Sequence, residues 1–313
     1  MNNSIFDVGF NSTHKDCDDV TLNRMIELIL TIFSCAIAVS SVLGNGFIIL
    51  AVIWSPRLQT PTIYLLCSLA MADFFTGLLV IPVLNIRLVV NIREISHPFS
   101  VFSEFIVIQV MAATTFSICA VSLDRFTAIV FSMSYERIVT TRRCLRVILA
   151  VWASSLIPAL PRIPSQTSLS LRGVLLGALL IIIVFPFSVI AFCYMSIFRA
   201  ARRHRRQINT NTVSPQPPRQ VDKAAVTVAM VILIFLSSWI PILCFSVYEL
   251  VHTSRVSVCK DLRFRLRFFA FSGLLALGSS VCNPVVYTLR YRRLRKVLKS
   301  LLCGWREANR SGN

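Results

Sequence analysis

The chain contains seven long stretches in which apolar residues predominate, and this pattern constrains the fold more than any other feature. A helix that crosses a bilayer needs about 20 mainly apolar residues. The stretches are continuous rather than alternating, which favours helices over the strands of a membrane barrel. The sequence therefore predicts an all-α membrane protein, a seven-transmembrane helix bundle. The predicted spans are 25–53, 61–89, 99–131, 145–161, 170–200, 222–251 and 266–289.

The distribution of charge agrees with a membrane protein. Of the 313 residues, 55% are hydrophobic and only 15% are charged, whereas soluble domains carry about 25% charged residues. The net charge of +18 would suit a nucleic-acid partner, but the basic residues fall in blocks between apolar stretches, as in 202–206 and 290–296. Loops rich in Lys and Arg face the cytoplasm. We therefore expect a multi-pass plasma-membrane protein with an extracellular N-terminus and no nucleic-acid partner.

Segments outside the spans carry candidate modification sites. After the last span, apolar residues recur at helical spacing between basic ones, which is typical of an amphipathic helix on an anionic lipid surface. Cys303 at its end is a predicted palmitoylation site. Asn2 and Asn11 begin N-x-S/T sequons and are predicted glycosylation sites.

The predicted organisation is an extracellular leader (1–24), the bundle (25–289), an amphipathic helix eight (290–303) and a cytoplasmic tail (304–313).

An acidic residue, Asp73, lies in the middle of the second predicted span. Ionisable residues inside a membrane are costly and usually functional. Asp73 is either a structural acid bonded to neighbouring helices, or part of a polar cavity that holds a cation or moves a proton. Oxygen ligands suit a hard cation such as Na⁺, so a sodium ion near Asp73 is the one cofactor expected. The candidate oxygen donors beside Asp73 are Asn45, Thr114, Ser279, Ser280 and Asn283.

An adjacent acid and base, Asp124 and Arg125, lie near the end of the third predicted span. Arginine is always charged and weakly hydrated, and it can exchange one hydrogen-bond partner for another. The pair is therefore either a simple interfacial ion pair or a switch.

Several motifs, in order along the spans, resemble those of class A (rhodopsin-like) G protein-coupled receptors. They are Gly44-Asn45, the LAMAD segment ending at Asp73, Asp124-Arg125-Phe126, Trp152, Pro186 with Tyr194, Ser238–Pro241 and Asn283–Tyr287. The resemblance implies a receptor that binds an extracellular ligand and activates a heterotrimeric G protein by outward movement of helix six. It also implies that the chain is not an enzyme, and that arrestin and membrane lipids are further partners.

The resemblance implies two sets of switch residues. Those for G-protein coupling are Asp124, Arg125, Phe126, Tyr194, Asn283, Pro284 and Tyr287. Those for the core switch are Trp239, Pro241, Phe235, Pro186 and Thr115. Phe126 replaces the family's Tyr and cannot donate a hydroxyl bond to the second inner loop, which bears on the strength of coupling. Asp222 is one residue out of register for the usual acid at helix six. Weak restraint of Arg125 and basal activity are therefore expected.

The resemblance also locates a ligand pocket. Val107 stands where amine receptors have Asp, so a standard amine site is not expected, and the absence of Lys between Arg263 and Arg290 excludes a retinal Schiff base. Glu104 would meet a cationic group, or rim arginines such as Arg87 would steer an anion. A small peptide, a nucleoside and a lipid all stay open as ligands. The predicted lining is Glu104, Val107, Ile108, Met111, Trp239, Leu243 and Phe271.

The cysteines depart from the common family pattern. The place near Ser100 that usually anchors a disulfide to the second outer loop has no Cys. Within the implied fold, Cys17 and Cys259 face the oxidising exterior and are the predicted disulfide. These features are similar to melanocortin receptors and their adenosine and lipid relatives, although Pro186 departs from the melanocortin pattern. The alternatives are an ion-coupled transporter, for which inverted repeats would be expected, or a non-signalling scavenger of the same fold.

Overall fold

The computed structural model describes residues 24–90, 97–160, 177, 180–211, 234, 237–245, 247–248, 259–290 and 294–300. These residues form helices and short turns, and none of the described residues is in a strand. The main helices of this part are α1 (Arg24–Trp54), α2 (Pro61–Val89), α3 (Pro98–Val130), α4 (Thr141–Ser154), α5 (Phe185–Asn211), α6 (237–245), α7 (Cys259–Arg290) and α8 (294–300). A short helix between α3 and α4, Tyr135–Ile138, is called the connecting helix.

The all-α prediction is confirmed, and five helices of the described part are long and apolar enough to cross a membrane. The first three predicted spans agree with α1, α2 and α3 to within one residue at each end. The apolar part of α7, Arg267–Thr288, agrees equally well with the predicted span 266–289, and that of α5 ends at Ala200, where the predicted span ends. The helices themselves are longer, since α5 continues to Asn211 and α7 begins at Cys259. The span 145–161 was placed wrongly, because α4 is the 14-residue helix Thr141–Ser154. Hydropathy marks the part of a helix that lies in lipid, whereas backbone hydrogen bonds continue the helix into water.

A wide turn in α2 brings that helix against α1. Residues Thr76–Val80 form a π-helical turn just before Pro82, and such turns absorb the missing hydrogen bond and the steric clash of a proline. Gly77 lies in this turn, where a Cβ atom would be 2.7 Å from the carbonyl oxygen of Ala38. Glycine is therefore required for the close approach of α1 and α2.

Helix α3 lies at the centre of the described bundle, in contact with α2, α4 and α5. Small residues fill its buried face, including Ala112, Ala113 and Ser117, as is typical where membrane helices pack closely. By contrast, large apolar side chains of α1 such as Leu28, Ile32 and Phe33 are exposed and would face lipid. Helix α3 is therefore surrounded by other helices. The candidate residues near both of its ends, Glu104 at one end and Asp124 with Arg125 at the other, lie among these helices.

Two further helices, α4 and α8, pack against the bundle. Trp152 of α4 donates a hydrogen bond from Nε1 to Ser68 Oγ of α2 at 3.1 Å and packs edge-on against Phe75. In α8, Leu294 is buried while Lys296 and Lys299 are exposed. The predicted amphipathic character of helix eight is thus confirmed for 294–300.

Candidate functional site

The carboxylate of Asp124 is the centre of a hydrogen-bonded cluster at one end of α3. It is buried, with 5% of the residue exposed. Its Oδ2 accepts bonds from Arg125 Nε at 2.9 Å and from Thr62 Oγ1 at 3.1 Å, and the Arg125 guanidinium Nη2 also contacts this oxygen. Its Oδ1 accepts a bond from the Tyr135 hydroxyl at 2.8 Å. We name these four residues the Asp124 cluster, and this end of the bundle the Arg125 end.

Thr62 joins the other members of the Asp124 cluster. Its hydroxyl oxygen accepts a 2.6 Å bond from Arg125 Nη2 and lies 3.1 Å from the Tyr135 hydroxyl. Thr62 is in the first turn of α2 and Tyr135 begins the connecting helix, because Pro61 and the polar turn after α3 start those helices at these points. Three elements therefore meet at one carboxylate.

Tyr135 acts in the cluster as a neutral donor. Burial raises the pKa of its phenol to about 12; the bond with Thr62 lowers that pKa, and the negative charge of Asp124 raises it. Ionisation would bring a second negative charge against Asp124, which burial and repulsion both oppose. At neutral pH Tyr135 therefore stays protonated and donates to the carboxylate.

Phe126, the residue after Arg125, makes aromatic contacts instead of a hydrogen bond. Its ring packs edge-on against Phe131, with ring centroids 5.8 Å apart. It also contacts the ring of Phe192 in α5, with centroids 5.9 Å apart. Such pairs contribute about 0.5–1.5 kcal/mol beyond area burial. Phe126 thus connects α3 to α5. The hydroxyl group that Phe126 lacks is supplied by Tyr135, in the segment after α3, and it binds Asp124.

A second polar group surrounds Asp73 in the middle of the bundle. Asp73 is 1% exposed, and its Oδ2 accepts a 2.6 Å bond from Asn283 Nδ2 of α7. The Ser41 hydroxyl bonds to the Asp73 carbonyl at 2.9 Å and lies 3.0 Å from the Ser280 hydroxyl. Asn45 donates to the Ser280 carbonyl at 3.2 Å. Helices α1, α2 and α7 are therefore joined by polar contacts around one carboxylate.

The oxygen atoms of the candidate donors for Asp73 fit a small hard cation by their chemistry. Asn45 Oδ1 is buried and accepts no hydrogen bond from the described residues. The hydroxyls of Thr114 and Ser279 donate to carbonyls of their own helices, which leaves their lone pairs available. A carboxylate with amide and hydroxyl oxygens is the ligand set that hard cations prefer.

Three of the predicted core-switch residues, Thr115, Trp239 and Pro186, are buried. Thr115 is 1% exposed and donates to the Ala112 carbonyl at 3.0 Å, and Trp239 of α6 is 6% exposed. The Pro186 carbonyl accepts a weak bond from Cys119 Sγ at 3.6 Å, which ties α5 to α3. Pro241 lies in α6, and Phe235 lies outside the described residues.

The proline of α7 packs tightly against α1. A Cβ atom at Gly44 would lie 3.1 Å from Pro284 Cγ, so glycine allows this contact. Tyr287, one turn further along α7, is buried, and Tyr194 of α5 is half-buried against the same core. The water-mediated contact between the two tyrosines stays a prediction for the active state.

The opposite end of α3, the Glu104 end, contains a buried ion pair. Glu104 Oε1 lies 3.0 Å from Arg87 Nη1 of α2, and each side chain is only 11% exposed. The same Arg87 nitrogen reaches Ser103 Oγ at 3.5 Å. The two residues, expected to act separately on a ligand, are therefore partners of each other.

The other predicted pocket residues are apolar and lie on three helices. Val107, Ile108 and Met111 are partly buried on α3, and Leu243 is partly buried on α6. Phe271 on α7 is 49% exposed. Phe245 of α6 packs in tilted geometry against Phe268 and Phe269 of α7, with ring centroids 5.6 and 5.7 Å away.

The comparisons with known proteins decide the family. Residues 44–287 match the family model described as "7 transmembrane receptor (rhodopsin family)". The chain belongs to the rhodopsin family of seven-transmembrane receptors. It is therefore a multi-pass membrane protein and a G protein-coupled signalling receptor, and not an enzyme. Rhodopsin-family receptors respond to an extracellular ligand and couple to a G protein.

Similar proteins include trace amine-associated receptors and melanocortin receptors. Trace amine-associated receptor 5 of Rattus norvegicus is 31% identical over 305 residues, which cover 90% of this chain and 87% of the relative. Melanocortin receptor 3 of Rattus norvegicus is 27% identical over 281 residues, with 86% and 84% covered. Melanocortin receptor 5 of Homo sapiens is 26% identical over 298 residues, with 92% and 86% covered. The predicted receptor class and the melanocortin resemblance are confirmed.

Several predictions for this receptor fall outside what the structure describes. Asn2, Asn11, Cys17 and Cys303 lie outside the described residues, and the side chain of Cys259 is not described although α7 begins there. Glycosylation, the disulfide and palmitoylation therefore stay predictions.

Sequence reasoning missed residues that the structure brings to both groups of polar contacts. Thr62 and Tyr135 were not predicted at Asp124, and Ser41 was not predicted at Asp73. Thr62 and Tyr135 are 62 and 11 residues from Asp124 along the chain. The only available signal for Tyr135 was an aromatic hydroxyl in an otherwise polar turn close to the receptor's acid–base pair.

Proposed function

We propose that this receptor, in the plasma membrane with its N-terminus outside, binds a ligand at the Glu104 end and activates a heterotrimeric G protein at the Arg125 end. The observation that carries the proposal is the Asp124 cluster, in which Arg125 binds a buried carboxylate and a threonine of the described part. Arginine keeps its charge when these bonds break. Arg125 can therefore leave the cluster and bind a partner at the cytoplasmic face.

The path from ligand to Arg125 runs through α6. Pro241 removes a backbone hydrogen bond from this helix and favours a kink, and Trp239 is buried beside it. A ligand that moves Trp239 would swing the cytoplasmic part of α6 outward, with Phe235, Pro186 and Thr115 repacking. Asn283, Pro284, Tyr287 and Tyr194 would then rearrange on the same side as Arg125.

Recognition of the ligand at this end is proposed to rest mainly on uncharged contacts. Breaking a buried ion pair by removing one partner costs about 3–5 kcal/mol, so a charged ligand would have to offset that loss to recruit Arg87 or Glu104. The remaining pocket residues named above are apolar. This favours a lipid, or another ligand with an apolar body, over a ligand anchored by a formal charge at these two residues.

The Asp73 group is proposed as an allosteric cation site in the same receptor. Asp73, Asn45, Thr114, Ser279 and Asn283 would hold a sodium ion, whose charge would neutralise the carboxylate when bound. Of these residues, Asp73, Asn45 and Asn283 also join α1, α2 and α7 through the hydrogen bonds described above. Arrestin would use the same cytoplasmic face as the G protein, and Lys296 and Lys299 of α8 would contact anionic lipid.

Nucleotide exchange on purified heterotrimeric G proteins tests the proposed function. The receptor in lipid nanodiscs is expected to accelerate exchange on at least one class of Gα, and Arg125→Ala is expected to abolish that acceleration. Arg146→Ala, which removes an exposed arginine of α4, is the matched control and should leave it unchanged. Acceleration that survives Arg125→Ala would contradict the proposed mechanism.

A further inference from the structure

The connecting helix and α4 are linked by only two residues, Val139 and Thr140. Thr140 is the N-cap of α4, and its hydroxyl accepts a 3.4 Å bond from the backbone N–H of Arg143. Such a cap satisfies one of the N–H groups that a helix leaves without a partner. It also fixes the backbone of Arg143 one turn into α4.

The side chain of Arg143 turns back from α4 toward the connecting helix. Its Nη1 donates to the carbonyl oxygens of Arg137 and Ile138, each at 3.0 Å. These are carbonyls of the last turn of the connecting helix, which have no partner within a helix. A cation at a helix C-terminus is also electrostatically favourable. Arg143 therefore satisfies and neutralises this end of the connecting helix.

The connecting helix depends on such contacts for its position. It contains four residues, Tyr135–Ile138, and a helix of this length is not stable in isolation. At its start, Tyr135 bonds to Asp124 and approaches Thr62; at its end, Arg143 holds two carbonyls. The bond from Tyr135 to Asp124 therefore requires that both ends of this helix stay in place.

We propose that Arg143 is a positioning residue for the Arg125 switch: by holding the end of the connecting helix, it keeps Tyr135 on Asp124 and so restrains Arg125. Arg143 acts through Tyr135 and does not itself contact the acid–base pair. This inference rests on the proposed function, in which release of Arg125 activates the G protein. Arg143 would thus restrain Arg125 from the segment after α3. The sequence of helix six was not expected to provide such a restraint.

The neighbouring Arg142 provides a matched control. It has the same charge and the same chain position to within one residue, and its side chain is exposed. Its side chain makes no hydrogen bond to any residue that the structure describes, in contrast to the side chain of Arg143. Loss of positive charge at this face is therefore the same in Arg142→Ala and Arg143→Ala, whereas only the second variant frees the connecting helix.

The first measurement is basal G-protein activation in cells, with a biosensor for each Gα class and expression matched at the cell surface. Arg143→Ala is expected to raise basal activation about fivefold, the factor expected for loss of a modest hydrogen-bond contribution. Arg143→Lys keeps the charge and N–H donors and should stay near wild type, as should Arg142→Ala. In a Tyr135→Phe background, Arg143→Ala should add nothing, because the two residues act in one chain of contacts.

The second measurement is hydrogen–deuterium exchange of the purified receptor over residues 131–139, which needs no G protein. Exchange should be faster in Arg143→Ala and unchanged in Arg142→Ala. Equal behaviour of the two alanine variants in exchange would overturn the proposed positioning. Effects of Arg143→Ala and Tyr135→Phe that multiply on basal activation would also overturn it. If exchange is faster in Arg143→Ala but no variant activates a G protein, the proposed function is refuted. The role of Arg143 in positioning the connecting helix would still be supported.

Discussion

At the scale of single residues, the chemistry of the Arg125 end depends on how many donors the Asp124 carboxylate receives. A hydrogen bond to a charged group contributes about 1.5–3 kcal/mol, and a buried group left without its partner costs a comparable amount. Arg125, Thr62 and Tyr135 all donate to Asp124. Each donor fixes the carboxylate in the position from which it holds Arg125.

Removal of the Tyr135 hydroxyl is the residue-scale prediction. Tyr135→Phe keeps the ring and deletes the 2.8 Å bond to Asp124, so the restraint on Arg125 weakens. Basal G-protein activation should rise about tenfold, the factor for a loss of about 1.4 kcal/mol. Tyr64→Phe removes a phenol of α2 that takes no part in the Asp124 cluster and should behave as wild type. If basal activation by Tyr135→Phe is as low as that by Tyr64→Phe, Tyr135 does not help to restrain Arg125.

The sequence predicted this site in part. An acid and a base adjacent to each other in an apolar span are conspicuous, because charges there are costly. Thr62 and Tyr135 are ordinary residues at the start of a helix and in a polar turn, and only the packing of α2, α3 and the connecting helix brings them to Asp124. Likewise, Arg87 and Glu104 were recognised as rim charges, but their pairing depends on the relative rotation of α2 and α3.

At the scale of elements, the buried pair Arg87–Glu104 ties α2 to α3. The family's common disulfide is not expected at α3 near Ser100, and the ion pair lies one turn further along the same helix. Its two side chains are 11% exposed, so removal of one charge would leave the other buried without its counter-charge. The tie therefore contributes to the relative position of the two helices at the proposed ligand end.

A charge exchange tests this tie. Glu104→Gln should destabilise the purified receptor by about 3 kcal/mol, because Arg87 stays buried without its carboxylate, and should lower the midpoint of thermal unfolding. The double variant Arg87→Glu with Glu104→Arg should recover at least half of that loss. Arg267→Gln, which removes an exposed charge of α7, is the control. If the double variant is no more stable than Glu104→Gln, the ion pair does not stabilise the contact between α2 and α3.

The bounds of the elements show what hydropathy can and cannot predict. The spans 25–53, 61–89 and 99–131 agree closely with α1, α2 and α3, because these helices end near the apolar boundary. In α5 the apolar part ends at Ala200, where the predicted span ends, and the helix continues through basic residues to Asn211. The π turn Thr76–Val80 could not be predicted, since it depends on the fit of Pro82 and Gly77 against α1.

At the scale of the whole molecule, the polar groups are arranged along α3 and its neighbours from one end of the bundle to the other. The Arg87–Glu104 pair lies at one end, the Asp73 group in the middle and the Asp124 cluster at the opposite end. Buried polar groups in a membrane bundle need partners. Movement of a helix that takes part in one of these groups therefore breaks hydrogen bonds that need new partners.

The central claim is that Asp124 restrains Arg125 and that release of Arg125 activates the G protein. Basal nucleotide exchange on Gα, measured with purified receptor in nanodiscs, tests it most directly through Asp124→Asn, which keeps the shape of the side chain and removes its charge. We predict at least a tenfold rise over wild type, and its complete loss when Arg125→Ala is added. No rise in Asp124→Asn, or a rise that persists without Arg125, would contradict the account.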